Sequence, residues 1–158
     1  MFFTANLFDI SISDPIIYFY EETPTGGISE GYRNYELTGT RGIETEFRYK
    51  EKWGYLNLNW SYYRVNENTV DSYKVEEDPD VLLGFPAHKI TLNNSTSFIK
   101  NFYINPSIVY MSERYGYSSA DTSGNTIIEK FDPALLVNIY LLYKNALVNN
   151  LHIGFGVY

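Results

Sequence analysis

What most limits the fold of this chain is an alternation of apolar and polar residues that runs longer than a globular strand needs. Between Arg41 and Val65, Ile43, Thr45, Phe47 and Tyr49 fall on one side of an extended chain, and Glu44, Glu46, Arg48 and Lys50 on the other. After a short EKWG the pattern resumes, with Leu56, Leu58, Trp60 and Tyr62 opposed by Asn57, Asn59 and Ser61. Successive Cβ atoms of a strand point to opposite faces, so this is a hairpin with one greasy and one polar surface. The greasy surface covers either a soluble core or lipid.

The rest of the chain repeats the design. HKITLNNSTSF sets Ile90, Leu92, Asn94, Thr96 and Phe98 against Lys89, Thr91, Asn93, Ser95 and Ser97. FYINPSIVYM sets Phe102, Ile104, Pro106, Ile108 and Tyr110 against Tyr103, Asn105 and Ser107, and the closing segment sets Leu151, Ile153, Phe155 and Val157 against His152, Gly154, Gly156 and Tyr158. Only the PALL to LLYK region carries helical periodicity. About eight strands are expected, near 3–13, 16–22, 33–50, 54–66, 87–99, 102–115, 131–144 and 150–158. Several exceed the usual five or six residues of a globular strand and reach the ~9–11 that a tilted strand needs to cross a bilayer. The connections alternate: KEKWG, FIKNF and NALVNN are tight, whereas 21–33, 64–87 and 112–132 are long and polar. Outer-membrane barrels place short turns on one side and long loops on the other. Trp53, Tyr55, Phe98, Phe102, Tyr103 and Tyr143 gather at the tight turns, as an interfacial girdle does.

The 158 residues suffice for one domain, and residues 1–158 are read as a single all-β unit, an antiparallel up-and-down transmembrane β-barrel or a segment of one. Sixteen tyrosines among 18% aromatic residues suit a surface where oil meets water. A net charge of −7 argues against nucleic acid, whose binders concentrate Lys and Arg. Without cysteine there is no disulfide framework or thiolate chemistry. No apolar run is long enough for a membrane helix, and MFFTANLFDI lacks the basic and cleavage regions of a signal peptide.

ANLFDISISDPIIYF, YRNYELTGTRGIETEFRYK, GYLNLNWSYYRV, FPAHKITLNNS and LHIGFGVY resemble successive segments of the C-terminal β-barrel of a TonB-dependent outer-membrane receptor. Asn34, Gly39, Gly42 and Glu44 match one strand motif with shifted spacing, and Pro86, His88 and Lys89 match a P-x-H-K motif. The resemblance implies a bacterial outer-membrane location and energised uptake of a siderophore, cobalamin or glycan, with no enzymatic activity. It implies that TonB couples through a plug domain absent from this chain. A barrel of about 22 strands is implied, of which this chain is part. The residues two, four and six before Tyr158 are Gly156, Gly154 and His152, the polar set, so the barrel is expected to continue beyond it. Two other architectures fit the pattern. One is a complete small barrel of about eight strands with a structural, adhesive or lipid-interacting role. The other is a soluble β-sandwich binding module.

Arg41, Glu44, Glu46, Arg48 and Lys50 are read as lining the lumen, more as cross-strand ion pairs than as a substrate track. In SERYGYSS, Tyr115 and Tyr117 sit at the base of a long loop, where they either stack on a sugar or siderophore or serve the girdle. His88 and His152 are too few for a zinc site, which takes three or four ligands, and no metal or cofactor is expected. VEEDPDV reads as a hydrated loop, with calcium binding as its functional alternative, and DTSGN, Asp121 to Asn125, as a turn.

Overall fold

The computed structural model describes residues 1–23, 25–120 and 126–158. Eleven strands form among them: β1 (Phe2–Ser13), β2 (Ile16–Glu22), β3 (Ile28–Asn34), β4 (Leu37–Glu51), β5 (Gly54–Asn68), β6 (His88–Ile99), β7 (Phe102–Met111), β8 (Arg114–Ala120), β9 (Thr126–Phe131), β10 (Ala134–Tyr143) and β11 (Ile153–Val157). Seven make one antiparallel sheet in the order β1-β4-β5-β6-β7-β10-β11. β2 with β3 and β8 with β9 are hairpins that prolong β1/β4 and β7/β10 beyond one end of the sheet. Chain order and spatial order therefore agree, as in an up-and-down meander.

Both prolonged ladders break at an Asp-Pro pair. Pro15 has no N–H to donate, and Asp14 takes a left-handed φ of 52°. Two bonds hold the ladder across the break, Asp14 N–H to the Glu36 carbonyl and Tyr35 N–H to the Pro15 carbonyl, each 3.1 Å. Asp132-Pro133 marks the corresponding break between β9 and β10. The expected loops at 21–33 and 112–132 thus contain β3 and the β8–β9 hairpin. The PALL to LLYK region is strand β10, its periodicity blurred because Leu136 and Leu142 add apolar residues to the otherwise polar face.

Register makes the two faces continuous. Phe3, Phe47, Leu58, Leu92, Ile108 and Val137 are successive partners across six strands, and Ile139 pairs with Val157 on the seventh. The opposite face runs Thr4, Glu46, Asn59, Thr91, with Asn57 beside Asn93 and Ser107. A one-residue slip in any ladder would mix these faces, so the alternation itself fixes the register.

No second layer covers the apolar face. Leu7 is 83% exposed, Leu135 63% and Phe155 65%. The buried apolar residues among those described are Val65, Val70, Val75 and Tyr115, all at the looped end. Accessible surface totals 11211 Å², against about 8,100 Å² expected for a compact soluble monomer of 18.3 kDa. The soluble sandwich is thereby set aside. So is closure as a small barrel, because β1 and β11 are the unpaired edges of the sheet.

At Gly42, as at Gly54, the neighbouring strand's backbone leaves no room for a side chain. A Cβ on Gly42 would meet the Tyr62 carbonyl oxygen and lie 2.8 Å from the Phe8 ring. Gly42→Val is expected to destabilise the barrel by about 1–3 kcal/mol, the usual range for overpacking, read as a lower denaturant midpoint in detergent. An unchanged midpoint would contradict the geometry.

Candidate functional site

The turns of the two ends differ as the alternation predicts. At one end lie Lys52–Trp53 between β4 and β5, Lys100–Asn101 between β6 and β7, and residues 144–152 before β11. Asn101, Asn145 and Asn150 supply the positive φ these turns need, at 68°, 52° and 69°. Aromatic contacts fasten this rim: Trp53 stacks on Phe98 at 6.1 Å, Phe102 meets Tyr143 at 6.5 Å, and Lys144 Nζ lies 4.2 Å over the Tyr103 ring. At the other end stand the two hairpins and the segment 69–87.

That segment is ordered by its own small core. Val70 and Val75 are 0% and 2% exposed, around a 3-10 turn at Asp71–Tyr73. Thr69 Oγ1 donates to the Leu37 carbonyl at 2.9 Å and accepts from the Leu37 N–H at 3.0 Å. Val65 N–H reaches the Asp80 carbonyl at 2.8 Å, Tyr63 Oη donates to the Phe85 carbonyl at 3.2 Å, and Gly84 N–H bonds the Tyr115 carbonyl at 2.7 Å. These bonds fold the segment over the polar face. There Tyr73, Leu82, Leu83 and Phe85 meet Ile10 and Ile12 around an apolar pocket of about 310 Å³.

Nearer the middle of the sheet, the polar face carries a depression of about 420 Å³ lined by Thr4, Asn6, Glu44, Glu46, Lys89 and Thr91 among others. Glu44 and Glu46 both line it. Arg41 does not, because it pairs with Asp9 and Arg64 on the side of Leu7, Ile43 and Tyr62. Its odd number places it with Ile43; grouping it with Glu44 ignored the two-residue period. The ion pairing also differs from expectation. Glu46 Oε1 bonds Arg48 Nε at 2.6 Å along one strand, not across two. Asn57 Oδ1, in the next row, is buried without a partner.

Tyr115 and Tyr117 lie on β8, away from both carboxylates. Tyr115 is 9% exposed, with Lys130 Nζ 5.8 Å over its ring, whereas Tyr117 is 58% exposed and free to stack. The five candidate residues therefore belong to three places. His88 and His152 are apart as well. His88 stacks on Tyr62 at 4.6 Å and accepts a 3.4 Å bond from Trp60 Nε1, while His152 Nδ1 accepts from the Asn145 N–H. The acidic VEEDPDV segment brings no three metal-ligating side chains together among the described residues, and Asp121 to Asn125 lie outside those residues.

Glu113, beside the break in β7/β8, has its carboxyl pKa lowered by a bond from its own backbone N–H and then by Lys130, 3.5 Å away. A depressed carboxylate contributes stability that is present above its unfolded pKa and lost as pH falls through the folded one. Hydrogen exchange in β8–β9 should therefore quicken below the carboxylate range, and Lys130→Met should flatten that dependence. The pair is exposed, so the effect is small and salt-sensitive.

Sequence reasoning missed the apolar pocket, although a signal was present. In FDISIS the apolar parity switches: Phe8, Ile10 and Ile12 stand with Thr4 and Asn6, while Asp9, Ser11 and Ser13 stand with Leu7. β5 switches at the same height, with Tyr63 and Val65 on the polar side and Arg64 on the side of Tyr62.

A single-layer antiparallel meander with one continuous apolar face, one polar face, tight turns at one end and built-up hairpins at the other is a portion of a membrane β-barrel wall. Solved structures agree at the level of the fold. The siderophore receptor PirA from Acinetobacter baumannii superposes with a TM-score of 0.62 at 12% identity, covering 92% of this chain and 23% of that one. The FpvAI–pyocin S2 complex gives 0.62 at 13%, covering 90% and 19%. A mutant of the ferric enterobactin receptor PfeA from Pseudomonas aeruginosa gives 0.62 at 13%, covering 96% and 22%. This chain thus spans about a fifth of the length of those receptors. No characterised protein matches it significantly in sequence. The family described as TonB dependent receptor-like, beta-barrel, matches residues 1–158, and the chain belongs to it, a family of receptor barrels rather than enzymes.

Proposed function

We propose that this chain is part of the wall of an energised outer-membrane receptor that imports a small ligand, with its polar face toward the passage. The observation that carries the reading is the arrangement of that face, a polar depression around Glu44 and Glu46 beneath an apolar pocket roofed by Leu82, Leu83 and Phe85. A ligand arriving from outside meets apolar and aromatic groups first, including Tyr117, and hydrogen-bonding groups further in. Glu44 and Glu46 are proposed as polar contacts along the passage. Two of the similar structures are named for siderophores, which favours a ferric siderophore over cobalamin or a glycan as the imported ligand. Coupling would come from TonB acting through a plug in the intact protein.

The test is uptake by cells that carry the intact protein as their only route for a labelled ferric siderophore, cobalamin or oligosaccharide. Siderophore uptake that disappears with the protein and with TonB supports the reading. Uptake of all three that is indifferent to both would sink it.

A further inference from the structure

We infer that the apolar face carries, at its looped end, a binding site for a phosphate-bearing lipid headgroup of the outer leaflet, built from Arg41 and Arg64. Outward positions on β4 are Arg41, Ile43, Thr45, Phe47, Tyr49 and Glu51, so the two charged residues bracket an uncharged stretch. Ten residue steps span about 33 Å along the strand, or about 25 Å across the membrane at a tilt near 40°, the height of a barrel's apolar band. The parity switches in β1 and β5 fall between Leu7 and Asp9 and between Tyr62 and Arg64, on either side of the same row. Arg41 and Arg64 thus lie in the first row above the hydrocarbon, beside the stacked Trp60, Tyr62 and His88.

These two guanidiniums are unusual in their pairing. They face each other directly across the β4–β5 ladder, an arrangement that costs stability unless an anion is shared. Both are exposed, and the ion pairs among the described residues engage other cations. Asp9, the one acid in the row, is held by Asn66, whose Nδ2 donates to Asp9 Oδ1 at 3.1 Å across the bulge at Gly39/Thr40. A concavity of about 570 Å³ opens between Leu7, Ile43 and Tyr62 on one side and Asp9, Arg41 and Arg64 on the other. An acyl chain fits the apolar side and a phosphate the two arginines, whose planar forks match phosphate oxygens.

The experiment places the intact protein in nanodiscs of a phosphate-free galactolipid carrying lipid A or lipid A stripped of its phosphates, and reads bound lipid by native mass spectrometry. Arg41→Gln and Arg64→Gln should each weaken lipid A retention about fivefold, and the double variant about thirtyfold. The Arg→Lys pair should retain most of it, and Lys50→Gln, a cation on the other face of the same strand, should leave retention unchanged. Wild-type protein should release phosphate-free lipid about thirtyfold more readily than it releases lipid A, a comparison that needs no variant and stands even if one misfolds. Equal retention of the two lipids by wild-type protein would overturn the proposal. So would complete displacement of lipid A by inorganic phosphate, which would mark a free-anion site.

Discussion

Arginine in place of Leu58 will cost about 2–4 kcal/mol of barrel stability, whereas arginine in place of its neighbour Asn57 will cost little. Leu58 pairs with Phe47 on one side and Leu92 on the other, midway along the continuous apolar face. In hydrocarbon a guanidinium loses its hydration and meets no partner in that row, and the penalty is largest at the midplane. Asn57 pairs with Arg48 and Asn93 on the polar face, where water, amides and the Glu46 carboxylate already beside Arg48 receive the charge. Reversible unfolding of the intact protein in lipid vesicles measures both. The contrast between the two is the critical quantity, because a generally fragile strand would suffer from either change. Equal losses at the two positions would remove the assignment of the apolar face to lipid.

The same alternation decided how much could be read without coordinates. β4, β5, β6 and β7 emerge where the period-two pattern placed them, because each long strand has one face whose chemistry is uniform and a tight turn at its end. The outer hairpins were less legible. Beyond the membrane both faces of a strand are wet, so β3, β8 and β9 carry polar residues at both parities and read as loops. The apolar pocket depended on contacts of long range in sequence. Leu82 and Leu83 declare nothing until hydrogen bonds to Tyr63, Leu37 and Tyr115 bring the segment over Ile10 and Ile12. Arg41 was legible and was misplaced, since counting by two from Ile43 puts it on the lipid side. The switch of parity at Phe8 and Asp9 was equally available and marks the membrane boundary more sharply than the aromatic residues do.

Residues 1–158 produced alone will not insert into a bilayer as a monomer. β1, of 12 residues, has β4 on one side and nothing on the other, and β11 has only β10. About half of the N–H and C=O groups along such an edge point away from the sheet. Each one left unpaired in hydrocarbon costs several kcal/mol, so the sum over β1 exceeds the ~5–15 kcal/mol by which a folded protein is stable. Association of edges between copies, or exclusion from the membrane, follows. Dilution of the denatured chain into vesicles at low protein-to-lipid ratio, followed by Trp53 and Trp60 fluorescence and chemical cross-linking, discriminates the outcomes. Inserted β-structure that stays monomeric would mean that β1 and β11 close on each other in lipid, and the open wall would have to be abandoned. Inserted structure found only in cross-linked species would instead report the edges satisfying one another, as neighbouring strands do in a complete barrel.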